Sequence, residues 1–171
     1  MTPGGHIGAS IVAAYVVEHC VFGNEVTPLT IGVSALMGLL PDLDSLLATA
    51  RGHRPTKGRL RHHRSVTHTP LFYLLMTLLV SLIVPAQKAV LFGMLAFLHL
   101  ALDSWSTDDG IMWLWPLSRR QFSLFPRNLH AGGVYGIAFY RRHMRCAQMI
   151  VPELLFVLGG CTLTYYTLVV V

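Results

Sequence analysis

The stretch that decides the fold is AVLFGMLAFLHLALDSW, residues 89–105. It is apolar along almost its whole length, and about 20 such residues cross the hydrocarbon core of a bilayer as a helix. The stretch therefore predicts a membrane-spanning helix. Near its end it carries His99 and Asp103, which a helix places on one face about a turn apart. Ionisable groups at membrane depth are costly and commonly mark a functional site.

The composition of the whole chain also indicates a membrane protein. Of its 171 residues, 53% are hydrophobic and only 12% are charged, and the mean hydropathy is +0.55. A soluble domain carries about 25% charged residues, which cover its water-facing surface. With so few solvated groups, lipid is the expected solvent.

Four further apolar segments accompany the first. They run over about Ile7–Phe22, Leu29–Leu40, Leu71–Val84 and Met149–Val171. The segment Leu29–Leu40 is long enough to cross the bilayer only if it continues through Pro41 to Leu47. The segment Leu71–Val84 is short, which implies local thinning of the bilayer or helix ends below the membrane surface. The predicted fold is all-α: one membrane-embedded domain, residues 1–171, forming a polytopic bundle of about five transmembrane helices.

The basic residues orient this bundle. Six of the 13 lie in Arg51–Arg64 and six in Arg119–Arg145, so that only Lys88 lies elsewhere. Positive charge concentrated in two loops places both loops in the cytoplasm. One membrane topology places both basic loops in the cytoplasm. In this topology the N-terminus is cytoplasmic and the C-terminus lies outside. The loops favour anionic lipid headgroups, whereas nucleic acid is not an expected partner, because no basic stripe alternates with stacking aromatics.

The segment 106–145 is predicted to be more than a linker. It interleaves arginines with aromatic residues such as Trp113, Trp115 and Phe122. Such a mixture is typical of chain lying at the headgroup level. We therefore predict a cytoplasmic interfacial layer here, followed by the last span in residues 146–171.

Four segments bring histidine or aspartate to the predicted cytoplasmic face. The candidate metal ligands are His6, Asp42, Asp44, His63, His68, His99 and Asp103. Nothing in the composition requires this coincidence, and it predicts a metal site. For His99 and Asp103 alone, the alternative is a buried hydrogen bond that joins helices.

The two aspartates after Pro41 remain ambiguous at this stage. Asp42 and Asp44 are two residues apart and cannot share a regular helix face, so one can bind metal while the other orients a ligand. The alternative is a helix cap that faces water. Thr69-Pro70 is typical of a helix start, which holds His68 near the interface. A solvated side chain is expected for His62, whereas His63 fits either role.

Imidazole and carboxylate ligands without thiolate suit Zn²⁺, Mn²⁺ or Fe²⁺. The candidates suffice for one or two ions, with Zn²⁺ preferred. An open coordination position lets a metal-activated water attack an ester near neutral pH. Arg64, Arg119 and Arg120 are candidates to bind an anionic substrate, and the alternative is that they serve only as topology charges.

The order of these motifs resembles the YdjM-like family. The resemblance rests on His6, Pro41-Asp42-Leu43-Asp44, His63-Arg64-Ser65-Val66-Thr67-His68, His99-Leu100-Ala101-Leu102-Asp103-Ser104 and Trp115-Pro116-Leu117-Ser118, and spans about residues 1–124. That family is described as metal-dependent hydrolases of the bacterial inner membrane, one member being LexA-regulated. The resemblance therefore implies a multi-pass inner-membrane metallohydrolase.

A more distant resemblance is to the zinc-dependent phospholipase C and single-strand nuclease superfamily. Its ligand order is similar to His6, Asp42 or Asp44, His68, His99 and Asp103. The later ligands of that superfamily are two histidines and a glutamate. His130 and His143 have a suitable separation, but Ala147 stands where the glutamate is expected, so one or two metals are implied rather than three.

Three function classes follow. The first is a membrane-embedded, metal-dependent hydrolase that acts on a phosphoester or similar anionic ester, such as a lipid headgroup, at the cytoplasmic face, with Asp42, Asp44 and Asp103 as the candidate catalytic carboxylates. The second is a cation transporter or metal-binding regulator without hydrolysis, for which Glu18 in the first span is the favouring feature. The third is a structural adaptor whose basic loops dock a partner.

Overall fold

The computed structural model describes residues 1–44, 62–106, 110–124, 141 and 144–170, and helices are its main elements, whereas residues 110–124 form turns and an isolated bridge. Helix α1 is Pro3–Tyr15 and continues as a π-helical turn, Val16–Val21, and α2 is Pro28–Leu39, followed by a 3₁₀ turn, Leu40–Asp42. Two more 3₁₀ turns, His62–Arg64 and Val66–His68, precede α3, which is Pro70–Val80. Helix α4 is Ala86–Ser106, and α5 is Ala147–Tyr165, ending in a π-helical turn, Tyr166–Val170. Across these ranges there is no strand, only an isolated bridge between Ile111 and Phe122. The all-α prediction is confirmed for the described residues.

Three helices begin with the same dipeptide, a threonine followed by a proline. Thr2 and Thr27 are N-cap residues whose hydroxyls accept from backbone N–H groups, and Thr27 forms a capping box with Thr30. Thr69 occupies the predicted N-cap position of α3, but its hydroxyl donates to the carbonyl of Val66 at 2.7 Å. Proline fits the first helical position because its missing N–H has no helical partner there.

The α-helical part of the second apolar segment ends before Pro41. Helix α2 closes at Leu39, and the chain tightens into the 3₁₀ turn that carries Asp42. A proline has no N–H to continue the α-helical ladder. The turn therefore sets the direction in which the Asp42 carboxylate leaves the helix end.

Helix α1 lies at the centre of the packing, against α2, α5 and α4, while α3 packs on α4. Small residues allow the close approaches. A Cβ added at Gly8 would collide with the carbonyl oxygen of Phe156 on α5, and one added at Gly38 would lie 2.7 Å from the carbonyl oxygen of His6. Small residues at helix contacts are typical of bundles in lipid. The contact at Gly38 holds α2 against the part of α1 that carries His6.

Two helices are long and apolar enough to cross a membrane, Ala86–Trp105 and Ala147–Val170. The apolar helices Pro28–Asp42 and Pro70–Val80 are shorter. At about 1.5 Å per residue, the 11 residues of α3 fall well short of the hydrocarbon core of about 30 Å. The described residues thus support two spans by length and composition rather than the five that were predicted.

The close approach at Gly38 predicts that Gly38→Ala destabilises the bundle. The new methyl group would force α2 away from α1, and overpacking of this kind costs about 1–3 kcal/mol. Thermal unfolding of the detergent-solubilised protein measures the effect as a lower Tm. Gly32→Ala is the matched control, because a Cβ there meets nothing within 4 Å. An equal Tm for the two variants would contradict the packing described.

Candidate metal centre

Four side chains from separate parts of the chain converge at one end of the bundle. They are Asp42, His68, His99 and Asp103, which we call the quartet, and their ligand atoms all lie within 4.8 Å of one another. The 3₁₀ turn after α2 supplies the first, the turn before α3 the second, and α4 the last two. His68, His99 and Asp103 are buried, while the Asp42 side chain is 21% exposed. The quartet is thus closed on most sides and opens at Asp42.

The spacing of the quartet fits a small divalent cation. Nε2 of His99 lies 3.2 Å from Oδ2 of Asp103 and 3.8 Å from Oδ1 of Asp42. Nε2 of His68 lies 3.4 Å from Oδ1 of Asp42 and 4.0 Å from Oδ2 of Asp103. Tetrahedral zinc with bonds of about 2.0–2.2 Å has ligand–ligand edges of roughly 3.3–3.6 Å. The four distances bracket that value, so these residues can bind a metal ion with small adjustments.

The ring of His99 is fixed with its Nε2 toward the other members of the quartet. Its Nδ1 donates to the carbonyl oxygen of Gly38 at 2.8 Å, which implies the Nδ1–H tautomer. Its Nε2 is buried and has no hydrogen-bond partner among the described residues. Metal-bound histidines commonly donate their other ring N–H to a carbonyl in this way. A lone hydrogen bond between His99 and Asp103 does not account for this arrangement, because it leaves Asp42 and His68 in the same cluster unexplained.

Asp103 connects the quartet to two more histidines. Its Oδ1 lies 3.1 Å from Nε2 of His6, and its Oδ2 lies 3.5 Å from Nε2 of His63. The His6 ring also stacks on His99, with ring centroids 3.8 Å apart. Both histidines were predicted as ligands, and the structure places them beside Asp103, outside the quartet. In these positions they orient the Asp103 carboxylate.

Two groups near the helix ends have the protonation states that a metal site needs. Burial, and then the neighbouring His99, lower the pKa of His6 to about 4, so that its imidazole is neutral. Burial raises the pKa of Asp42, but the neighbouring imidazoles of His68, His99 and His6 together outweigh burial and lower that pKa to about 2. Metal ligands must be deprotonated, and this low pKa keeps the Asp42 carboxylate deprotonated at neutral pH.

Asp44 has a different position from Asp42. Its Oδ2 accepts from the hydroxyls of Ser65, at 2.7 Å, and Thr67, at 2.8 Å. Ser65 in turn contacts Nδ1 of His68 at 3.5 Å. Asp44 therefore anchors the turn that carries His68. The ambiguity left by the sequence resolves in the geometry, with Asp42 in the quartet and Asp44 behind it.

The predicted anion-binding arginines lie outside the quartet. Nε of Arg64 donates to Oε1 of Gln121 at 3.0 Å, and Arg119 and Arg120 are exposed. Arg120 lines a cavity beside the end of α4. His130, His143, the side chain of His62 and the basic residues from Arg51 to Arg61 lie outside the described residues.

One buried carboxylate near the centre was not anticipated from the sequence. Glu153, on α5, accepts from the backbone N–H of Thr2 at 3.0 Å and from the Thr2 hydroxyl. Since Thr2 caps α1, Glu153 fixes the helix start from which His6 projects. The signal was available, because a glutamate within an apolar segment is unusual and needs a partner.

The family described as "YdjM inner membrane protein" matches residues 1–170. The chain belongs to this family. No curated protein and no solved structure matches it. The YdjM match continues through α5, beyond the 1–124 range of the sequence motifs, and α5 holds the start of α1 through Glu153. The last helix is thus part of the YdjM domain in both sequence and packing.

The different positions of the two aspartates predict different losses of metal. Asp42→Asn replaces an anionic carboxylate of the quartet by a neutral amide, and we expect no stoichiometric zinc in the purified variant. Asp44→Asn loosens the turn behind His68, and removal of such a supporting partner costs about 10–100-fold in metal affinity. Metal analysis and competition with a chelator measure both effects. A greater loss of zinc from Asp44→Asn than from Asp42→Asn would reverse the roles assigned to these two residues.

Proposed function

We propose that this YdjM-family protein is a membrane-embedded, metal-dependent hydrolase that cleaves a phosphoester or similar anionic ester at the cytoplasmic face of the inner membrane. The observation that carries the proposal is the quartet of two imidazoles and two carboxylates at the ends of apolar helices, open to one side at Asp42. The donor set suits Zn²⁺ first, and also Mn²⁺ or Fe²⁺. One ion fits the quartet.

When bound, the ion supplies Lewis-acid activation of water and of the ester. The chain's own residues divide the remaining tasks. Asp103 is buried and held by His6, His63 and His99, so it serves as a fixed ligand. Asp42 lies on the open side and would bind the ion through Oδ1, the oxygen that faces His68 and His99. Its second oxygen would accept a proton from water and return it to the leaving group.

The proposed membrane arrangement has five spans with a cytoplasmic N-terminus. The two basic clusters support this threading, since both then lie in the cytoplasm. The short helices α2 and α3 fit it if their ends stop below the membrane surface, where local bilayer thinning accommodates them. The quartet then faces the cytoplasmic leaflet, and a lipid headgroup is a fitting substrate.

Hydrolysis is better supported than transport. The sequence feature that favoured an ion path was Glu18, and its carboxylate is paired with Nζ of Lys88 at 2.7 Å and with Nδ2 of Asn24 at 2.7 Å. This ion pair joins the π-helical turn after α1 to the start of α4, at the opposite end of α4 from His99. Because Glu18 is paired in this way, it does not extend the quartet into a path of ionisable groups across the bundle. The quartet lies at one end of the bundle, which fits hydrolysis at one membrane face better than transport.

The proposal predicts metal-dependent turnover that requires His99. Purified protein loaded with Zn²⁺ or Mn²⁺ is assayed with a chromogenic phosphodiester and for headgroup release from mixed phospholipid vesicles. We expect activity in the wild type and activity at background level in His99→Ala, because the variant lacks a buried ligand. His19→Ala is the matched control, since His19 is exposed on the turn after α1 and outside the quartet, and it should retain wild-type activity.

Two outcomes would overturn the hydrolase. One is turnover that persists in His99→Ala at the wild-type rate. The other is metal uptake into proteoliposomes by the wild type with no turnover of either substrate, which would assign the quartet to transport.

A further inference from the structure

The cavity that Arg120 lines lies beside the end of α4. It has a volume of about 530 Å³, within the range of about 300–1,000 Å³ typical of small-molecule sites. Its walls include Trp113, Leu114, Phe122 and Leu124, and Arg120 and Gln121 also line it. The cavity is therefore apolar on most sides with a cationic group among its lining residues.

The walls of this cavity are fixed to α4 rather than loosely placed. The backbone of Leu124 donates to the carbonyl of Ser104 at 2.7 Å, and the indole N–H of Trp113 donates to the Ser104 hydroxyl at 2.7 Å. Ile111 and Phe122 exchange backbone hydrogen bonds of 2.9 and 3.2 Å. The segment 110–124 is thus a hairpin-like loop pinned at both of its ends to the last turn of α4.

The cavity and the quartet use different faces of α4. Ala101 and Ser104 line the cavity, whereas His99 and Asp103 belong to the quartet. At 100° per residue, Ala101 lies about 200° around the helix from His99, and Ser104 lies about 100° from Asp103. A ligand that contacts Ala101 is therefore on the other side of α4 from His99, which favours a molecule distinct from the one on which the metal centre acts.

The exposed apolar surface at this loop indicates what fills the cavity. Leu114, Phe122 and Leu124 are 66%, 54% and 51% exposed, although they adjoin a helix apolar enough to cross a membrane. Exposed apolar area of this kind is unfavourable in water and favourable against acyl chains, at about 25 cal/mol per Å². A cation at the polar end of an apolar surface is complementary to an amphiphile with an anionic head.

We propose that this cavity binds one anionic phospholipid, which is retained as a structural lipid and is not hydrolysed. An acyl chain lies against Trp113, Leu114 and Phe122, and the phosphate accepts hydrogen bonds from the Arg120 guanidinium. Gln121, which Arg64 contacts at 3.0 Å, lies beside the headgroup and brings a second cation close to it. The proposed topology places this lipid in the cytoplasmic leaflet. Binding of the lipid does not depend on whether the protein is a hydrolase.

The test measures lipid binding in nanodiscs by native mass spectrometry, with phosphatidylglycerol and phosphatidylcholine as the probes. We expect one phosphatidylglycerol to be retained by the wild type in preference to phosphatidylcholine. Arg120→Gln should weaken its retention about tenfold, the effect of losing one charge-assisted contact. Arg119→Gln is the matched control, because Arg119 is equally exposed but does not line the cavity. It should leave retention unchanged.

Fluorescence locates the bound chain independently. Phosphatidylglycerol with brominated acyl chains should quench a tryptophan signal that is lost in Trp113→Phe, while Trp105→Phe retains the quenching. Glycerophosphoglycerol, which has the headgroup without the chains, should not compete. Equal losses in the two arginine variants, quenching independent of Trp113, or full competition by the soluble headgroup would each overturn the proposal. Zinc content measured in the same samples separates this result from the fate of the metal centre.

Discussion

The carboxylate of Asp103 is the group on which the rest of the structure depends. It is buried among apolar helices, where an uncompensated charge is unfavourable by several kcal/mol or more. Its two oxygens meet His6 from α1, His63 from the 3₁₀ turn and His99 from its own helix. Three separate parts of the chain thus come together because one buried charge needs partners. A bound cation would complete this compensation.

Around that charge, the chain supplies supports that have no contact with a substrate. The carbonyl of Gly38 fixes the His99 ring, and Gly38 lacks a side chain because α1 passes directly over it. Asp44 holds the turn before His68, and Glu153 holds the start of α1. These contacts orient the His99 ring, the turn that carries His68 and the start of α1. Such pre-organisation is what distinguishes a built site from a chance cluster of polar residues.

Much of the candidate site follows from sequence. His99 and Asp103 follow from helical spacing alone, since residues four apart share a face. The convergence of Asp42 and His68 with them required the fold. No local rule separates Asp42 from Asp44, because the difference arises where Pro41 tightens the helix end and where Ser65 and Thr67 capture Asp44. His6 and His63 could be placed near the site, but their contact with Asp103 depends on tertiary packing.

The number of membrane spans was harder to predict from the sequence than the all-helical class. Composition predicts helices in lipid, and the elements of the described residues are helices, but α3 has only 11 residues and α2 ends at Leu39. Helix length depends on where proline and capping residues fall, which hydropathy averages over. The importance of α5 was missed because its motif is a single glutamate, Glu153, whose partner Thr2 is 151 residues away. Contacts at such separation leave no periodic pattern in a sequence.

X-ray absorption at the zinc edge tests the central claim most directly. The zinc-loaded, detergent-purified protein should contain one ion with only nitrogen and oxygen ligands at about 2.0–2.2 Å, including the outer scattering of two imidazole rings. A folded wild-type protein that retains no zinc, or a spectrum with sulfur ligands, would contradict the quartet as a metal centre.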